Sequence, residues 1–315
     1  MLEYTAARGW PVRSHDLLLR TAVCGDMQAW EQWSREFGLD RASWSEVRLL
    51  ASVAKVIPEA HLQGIRRFVW VRTQMQLVPV VAALQNLERA GIELLLLKGA
   101  ARIAVDPTAA AERLVRDVDV LVPVVQAEQA LSLLQDDGWA LSGWQQRLRE
   151  VHPISSHHAW AVTRGTGELD LHHFSNFLNR DEHADDGMWS RATQVEWRGL
   201  RVRVPSATDG LLLAILHGVR WSQERASDWV LDAVGYLREG VQWDTLEQEA
   251  RDRQVESIVH AGLTYLRDRL CCVVPESTIM ALAVTDPESA QRLFFYAYVA
   301  QLPVDVGLDE GSKFT

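Results

Sequence analysis

Asp117 and Asp119 stand two residues apart in a run that is otherwise mostly apolar, Leu114 to Val122. Side chains alternate along a strand, so such a pair presents two carboxylates on one face. Like charges that close are unfavourable unless a cation sits between them, and hard oxygen ligands suit Mg²⁺ or Mn²⁺. The chemistry indicated is two-metal phosphoryl transfer, in which one ion activates a nucleophile and the other supports a polyphosphate. A third carboxylate must come from a neighbouring strand. Asp170 is the best candidate, because in Gly167-Glu168-Leu169-Asp170-Leu171-His172 the two leucines face one way and Glu168, Asp170 and His172 the other.

Upstream, Lys98-Gly99 closes the apolar run Ile92 to Leu97. A strand that ends in a glycine turn can hand over to a helix whose first N–H groups favour phosphate. Glycine lets backbone approach closely, and a lysine there neutralises charge. Arg113, four residues before Asp117, either contacts a triphosphate or caps a helix C-terminus. Each signal is weak alone: a D-x-D pair arises by chance, and a lone K-G is an ordinary turn. His152, His157, His158, His172 and His173 invite a zinc reading, but cysteine partners and H-x-x-x-H spacing are missing. His172 reads better as a support to the carboxylates or as a core histidine. Ser155 and Ser156 beside His157 make no nucleophile elbow.

The elements that would hold these residues follow from periodicity. Ser14 to about Ala90 is helical, with Leu17, Trp30, Trp33 and Phe37 recurring at helical steps. Ser43 fits an N-cap, Pro58 ends or kinks the helix before it, and Ala90-Gly91 fits the end of a long helix from His61. Ile92 to Leu97 and Leu114 to Val122 suit buried strands, Gln126 to Gln135 a helix, and Trp139 to Leu141 an edge strand. His157 to Thr163 and Glu168 to Phe174 flank a short turn at Arg164-Gly165-Thr166-Gly167, and Arg198-Gly199 joins a second hairpin. After Pro205-Ser206 the pattern is helical again: Leu211 to Trp221, Ser227 to Arg238, Thr245 to Arg253, Val255 to Leu270. Pro275 interrupts it, Glu288 to Val299 forms a last helix, and a Gly- and charge-rich tail follows. The fold class is therefore α+β, a small mixed sheet flanked by helical regions. The divisions are 1–90, 91–205 and 206–303, with a tail at 304–315.

Composition narrows the partners. The formal net charge is −10 over 315 residues, which argues against general binding of nucleic-acid backbone. The thirteen tryptophans are scattered and read as core and interface anchors. No apolar run reaches the roughly 18 residues of a membrane span, and the first ten residues show no secretory signal. Three cysteines without metal-like spacing point to a reducing, cytoplasmic setting.

The runs LLLLKGAA, ERLVRDVDVLVP and GELDLHHF together resemble the uncharacterised bacterial nucleotidyltransferases of the DNA polymerase beta superfamily. Lys98-Gly99-Ala100-Ala101, Arg113, Asp117, Asp119 and Asp170-Leu171-His172 match that family's pattern position by position. The stretch from Val204 resembles its helical continuation, with His217, Asp228 and Asp232 in matching places. Two departures stand out: Gly99 is followed by Ala100 where the superfamily often has Gly or Ser, and the third acid, often Glu, is Asp170. The resemblance implies Mg²⁺- or Mn²⁺-dependent transfer of an NMP group from an NTP, ATP being expected, to an acceptor hydroxyl with release of pyrophosphate. Asp117, Asp119 and Asp170 would hold the metals, and Asp170 would also help deprotonate the acceptor. Lys98, the Gly99–Ala101 backbone and Arg113 would meet the phosphates, His172 would support the site, and Arg220 or Asp228 would face substrate. The alternative on the same fold is a non-catalytic nucleotide-binding adaptor or a toxin or defence component.

Overall fold

The computed structural model describes residues 10–219, 227–283 and 288. The chain opens with four helices, α1 (Arg13–Cys24), α2 (Met27–Glu36), α3 (Trp44–Val53) and α4 (Ala60–Arg89). Ser43 caps α3 as expected, and reciprocally: its side chain accepts from the Glu46 N–H while the Glu46 carboxylate accepts from the Ser43 N–H. Gly91, at φ 81°, ends the turn after α4, and the Ile92 N–H returns to the Leu87 carbonyl.

Strands and helices then alternate: β1 (Leu95–Leu96), α5 (Lys98–Val105), β2 (Val118–Leu121), α6 (Ala127–Asp136), β3 (Ala140–Leu141) and α7 (Gly143–Val151). The hairpin β4 (Ala159–Arg164) and β5 (Gly167–His172) follows, then α8 (Asp186–Arg191) and the hairpin β6 (Thr193–Trp197) and β7 (Leu200–Val204). Arg198 and Gly199 both take positive φ, 51° and 77°, the twist a two-residue hairpin turn needs. The chain continues through α9 (Ala207–Gly218), α10 (Trp229–Glu239), α11 (Trp243–Asp252), α12 (Glu256–Leu270) and α13 (Glu276–Ala283). Among the described residues no helix is long and apolar enough to cross a membrane.

The fold class is α+β, as expected. Several boundaries differ. The ladder takes only Leu95–Leu96 of the Ile92–Leu97 run, because Leu97 already leads into α5. Leu114–Asp117 stays outside β2. Helices α7, α8 and α13 lie where no helix is expected. The helix before Pro275 already ends at Leu270 with Cys271 in the left-handed region, and Pro275 stands immediately before α13, whose Ile279 N–H returns to its carbonyl. Arg220, Trp221, the expected last helix beyond Glu288 and the tail lie outside the described residues.

The described residues divide into two compact units. One, of helices, takes 10–69, 111–113, 207–219 and 227–283. The other takes 70–110 and 114–206 and carries all seven strands, in the order β3-β4-β5-β2-β1-β7-β6. In it β2 lies parallel to β5, β1 antiparallel to β2, and β1 parallel to β7. Its core joins Val118, Val120, Leu169 and Leu171 to Leu77, Leu84 and Leu87 of α4 and to Trp139 and Trp160. The opposite face of β2 and β5 is thereby left for polar residues.

Candidate active site

The register of β2 on β5 sets the site. Val118 pairs with Leu169, Asp119 with Asp170, Val120 with Leu171 and Leu121 with His172. With Val118, Val120, Leu169 and Leu171 in the core, Asp119 and Asp170 share the other face on adjacent strands. One ligand atom each from Asp119, Asp170 and His172 lies within 4.8 Å of the others. The two carboxylates suit a divalent ion such as Mg²⁺ or Mn²⁺, which takes oxygen ligands, and the imidazole beside Asp119 can orient that carboxylate. Asp117 precedes β2, is half-buried, and falls outside that tight group, yet its charge acts on Asp170. His152, His157, His158 and His173 join no metal-holding group among the described residues.

Lys98 reaches the same place from the start of α5. Its Nζ lies 2.5 Å from Asp119 Oδ1, and His172 Nε2 lies 2.9 Å from that same oxygen. The other ring nitrogen of His172 faces the Phe174 carbonyl at 3.3 Å, and the His158 ring packs edge-on against it at 5.4 Å. Gly99, Ala100 and Ala101 form the buried first turn of α5, where Ala101 N–H already returns to Leu97. The N–H groups before it have no partner within the helix.

The carboxyls are tuned apart. Burial alone would push Asp119 up, but the Lys98 charge and the His172 hydrogen bond outweigh it and hold the carboxyl well below the usual range. Asp170 is pushed up to about 7, first by burial and then by the charges of Asp117 and Asp119. Burial also lowers His173 to about 4.

Two further neighbours are missed by sequence reasoning. In the β4–β5 hairpin Ala161 lies opposite Asp170 and Ala159 opposite His172. Each of these positions presents only a methyl group beside Asp170 or His172. The signal was available, since counting back from the turn at Gly165-Thr166 gives that register.

Arg113 is placed in the helical unit. Its Nη1 donates to Asp228 Oδ2 at 2.8 Å, and its Nε and Nη2 to Asp232 at 3.2–3.3 Å. Arg48 also pairs with Asp228, which is buried. The same connection holds Glu112, whose carboxylate takes Lys55 and Arg66 at 3.1 Å each.

Comparison with known proteins adds the family. No curated protein matches the chain. Among solved structures, an antigenic nucleotidyltransferase-like protein from Paracoccidioides brasiliensis is similar at 17% identity, covering 66% of this chain and 97% of that one with a TM-score of 0.43. That likeness is too distant to bear on the site. The family described as uncharacterised nucleotidyltransferase matches residues 37–270, about three-quarters of the 315. With that span covering every strand and the whole acidic cluster, the chain belongs to this family of nucleotidyltransferases.

Proposed function

We propose that the chain is a divalent-metal-dependent nucleotidyltransferase, in which an NTP, ATP in the first instance, gives its NMP group to an acceptor hydroxyl and releases pyrophosphate. The observation that carries this reading is the side-by-side register of Asp119 and Asp170 with His172 in the same group. Asp117, Asp119 and Asp170 would hold the metal ions, and His172 would orient Asp119 or add a donor. A divalent ion bound there neutralises phosphate oxygens and acidifies a hydroxyl that reaches it.

The remaining work belongs to the chain's own groups. Asp170 accepts the acceptor's hydroxyl proton as that oxygen bonds to the α-phosphorus. The bond from the α-phosphorus to the α–β bridging oxygen breaks, and its electron pair leaves with pyrophosphate. The N–H groups of Gly99 and Ala100, which precede the first bond within the helix, and the Lys98 ammonium would meet the triphosphate. A phosphate role for Arg113 competes with Asp228 and Asp232, which already occupy its fork.

The test is transfer of label from α-labelled ATP with Mg²⁺ to a panel of small alcohols, peptides and proteins, with pyrophosphate measured alongside. Labelled acceptor is expected, falling by about 10²-fold or more in Asp117→Ala, Asp119→Ala and Asp170→Ala, the scale of lost acid–base and metal support. Metal-dependent nucleotide binding without any transfer would favour the adaptor reading. If neither nucleotide nor metal binds, the site assignment is wrong.

A further inference from the structure

Asp119 Oδ1 is the most heavily used oxygen of the site, taking Lys98 Nζ at 2.5 Å and His172 Nε2 at 2.9 Å. Lys98 is also unusual in its backbone. Its φ of 50° lies in the left-handed region, which a residue with a Cβ seldom adopts. That turn fixes the root of a side chain that is 15% exposed and folded onto a buried carboxylate. An ammonium in that position lies where a cation approaching Asp119 Oδ1 would compete with it.

We infer that Lys98 is a tethered counter-ion that competes with the divalent ion for Asp119 and releases it when a triphosphate gives the ammonium another partner. The inference rests on the nucleotidyltransferase reading and adds an order to it: metal and nucleotide bind as a linked pair. Without nucleotide, a metal that displaced Lys98 would leave a largely buried ammonium without its counter-charge, which is costly. A triphosphate removes that penalty by supplying several negative oxygens next to the turn. Linkage then requires the nucleotide to raise metal affinity and the metal to raise nucleotide affinity by the same factor.

The experiment measures Mn²⁺ binding to the full chain by calorimetry, with and without a non-hydrolysable ATP analogue. Wild type is compared with Lys98→Gln and Lys98→Ala. The analogue's own chelation of Mn²⁺ is common to all three, so comparing their ratios isolates the lysine. Both variants are expected to bind Mn²⁺ alone more tightly than wild type, by a factor within the roughly 5–150-fold range of site coupling, and to gain less from the analogue. Equal or weaker Mn²⁺ binding in variants with native circular dichroism would overturn the inference. An arm without substitution observes the lysine ammonium nitrogens of wild type by NMR. There the Lys98 signal should move when Mg²⁺ and the analogue are added together and hold still with Mg²⁺ alone; the reverse pattern also overturns the inference. If no protein binds Mn²⁺ under any condition, and Asp170→Asn changes nothing, the metal reading itself fails, a result distinct from the others.

Discussion

Asp170 and His173 pull the stability of the metal-free chain in opposite directions with pH. The Asp170 carboxyl is near 7 in the fold and near 3.9 in an unfolded chain. Between those values the native state keeps a proton that the unfolded state has released. Its contribution is therefore full below about pH 4 and is lost as pH rises through 7. His173, lowered to about 4 from about 6.5, does the reverse: its contribution is lost as pH falls below 6.5. Comparing Asp170→Asn with wild type at each pH separates the two. In chelator, the variant should melt higher than wild type at pH 8, and the gap should shrink towards pH 4. Adding Mg²⁺ should raise the wild-type midpoint and leave the variant's where it was. A variant that melts lower than wild type at pH 8 without metal would contradict the electrostatic account. At this scale the placing of Asp119 and Asp170 on strand faces was legible from alternation, whereas Asp117, expected on the same strand face as Asp119, precedes β2 and stands outside the tight group. The bond from Lys98 to Asp119 was not legible, since it depends on a left-handed lysine and on contacts across 21 positions.

The β4–β5 hairpin sets alanines opposite Asp170 and His172. Ala161 is opposite Asp170 in the antiparallel pair, so a larger side chain there would fill the space beside the carboxylate. Ala161→Leu should keep the fold, because the position is half-buried, and should weaken Mn²⁺ and nucleotide binding together by calorimetry. Unchanged binding would mean that the floor of the site lies elsewhere. Gly167, at the first position of β5, has a different constraint. A Cβ there would come within 2.7 Å of the Trp139 ring and 2.9 Å of Pro79. Gly167→Ala should cost about 1–3 kcal/mol, the usual range for overpacking. Urea unfolding would show it, and a cost below about 0.5 kcal/mol would mean that Trp139 yields easily. Hairpins of this kind were readable because Gly165-Thr166 and Arg198-Gly199 carry their turn chemistry on their surface. The helices α7 and α8 were not: α8 has only six residues, and only Gln145 of α7 is buried, so neither displays a clear apolar stripe.

Over the whole chain, the helical unit draws on both the N-terminal and the C-terminal stretches, and it reaches between α5 and β2 to include residues 111–113. Hydrophobic periodicity shows helices in both stretches but carries no information about which distant helices meet. Some of the long-range partners are ionic. Glu112 takes Lys55 and Arg66, and Arg113 takes Asp228 and Asp232. Asp228 is 3% exposed and Asp232 5%, so neither can turn to water if Arg113 is lost. Arg113→Met removes one cation from beside these carboxylates while Asp228 keeps Arg48, so the loss is that of hydrogen bonds to charged groups, about 1.5–3 kcal/mol. It should therefore lower the unfolding free energy by about that much in the absence of any nucleotide. Asp232→Asn, which keeps hydrogen-bonding capacity and leaves Asp228 in place, should cost less. If Arg113 serves only to bind phosphate, the result is different: nucleotide affinity falls in Arg113→Met while its denaturation midpoint stays at the wild-type value. Measuring both on one protein sample decides whether that arginine belongs to the phosphate chemistry or to the helical unit that holds it.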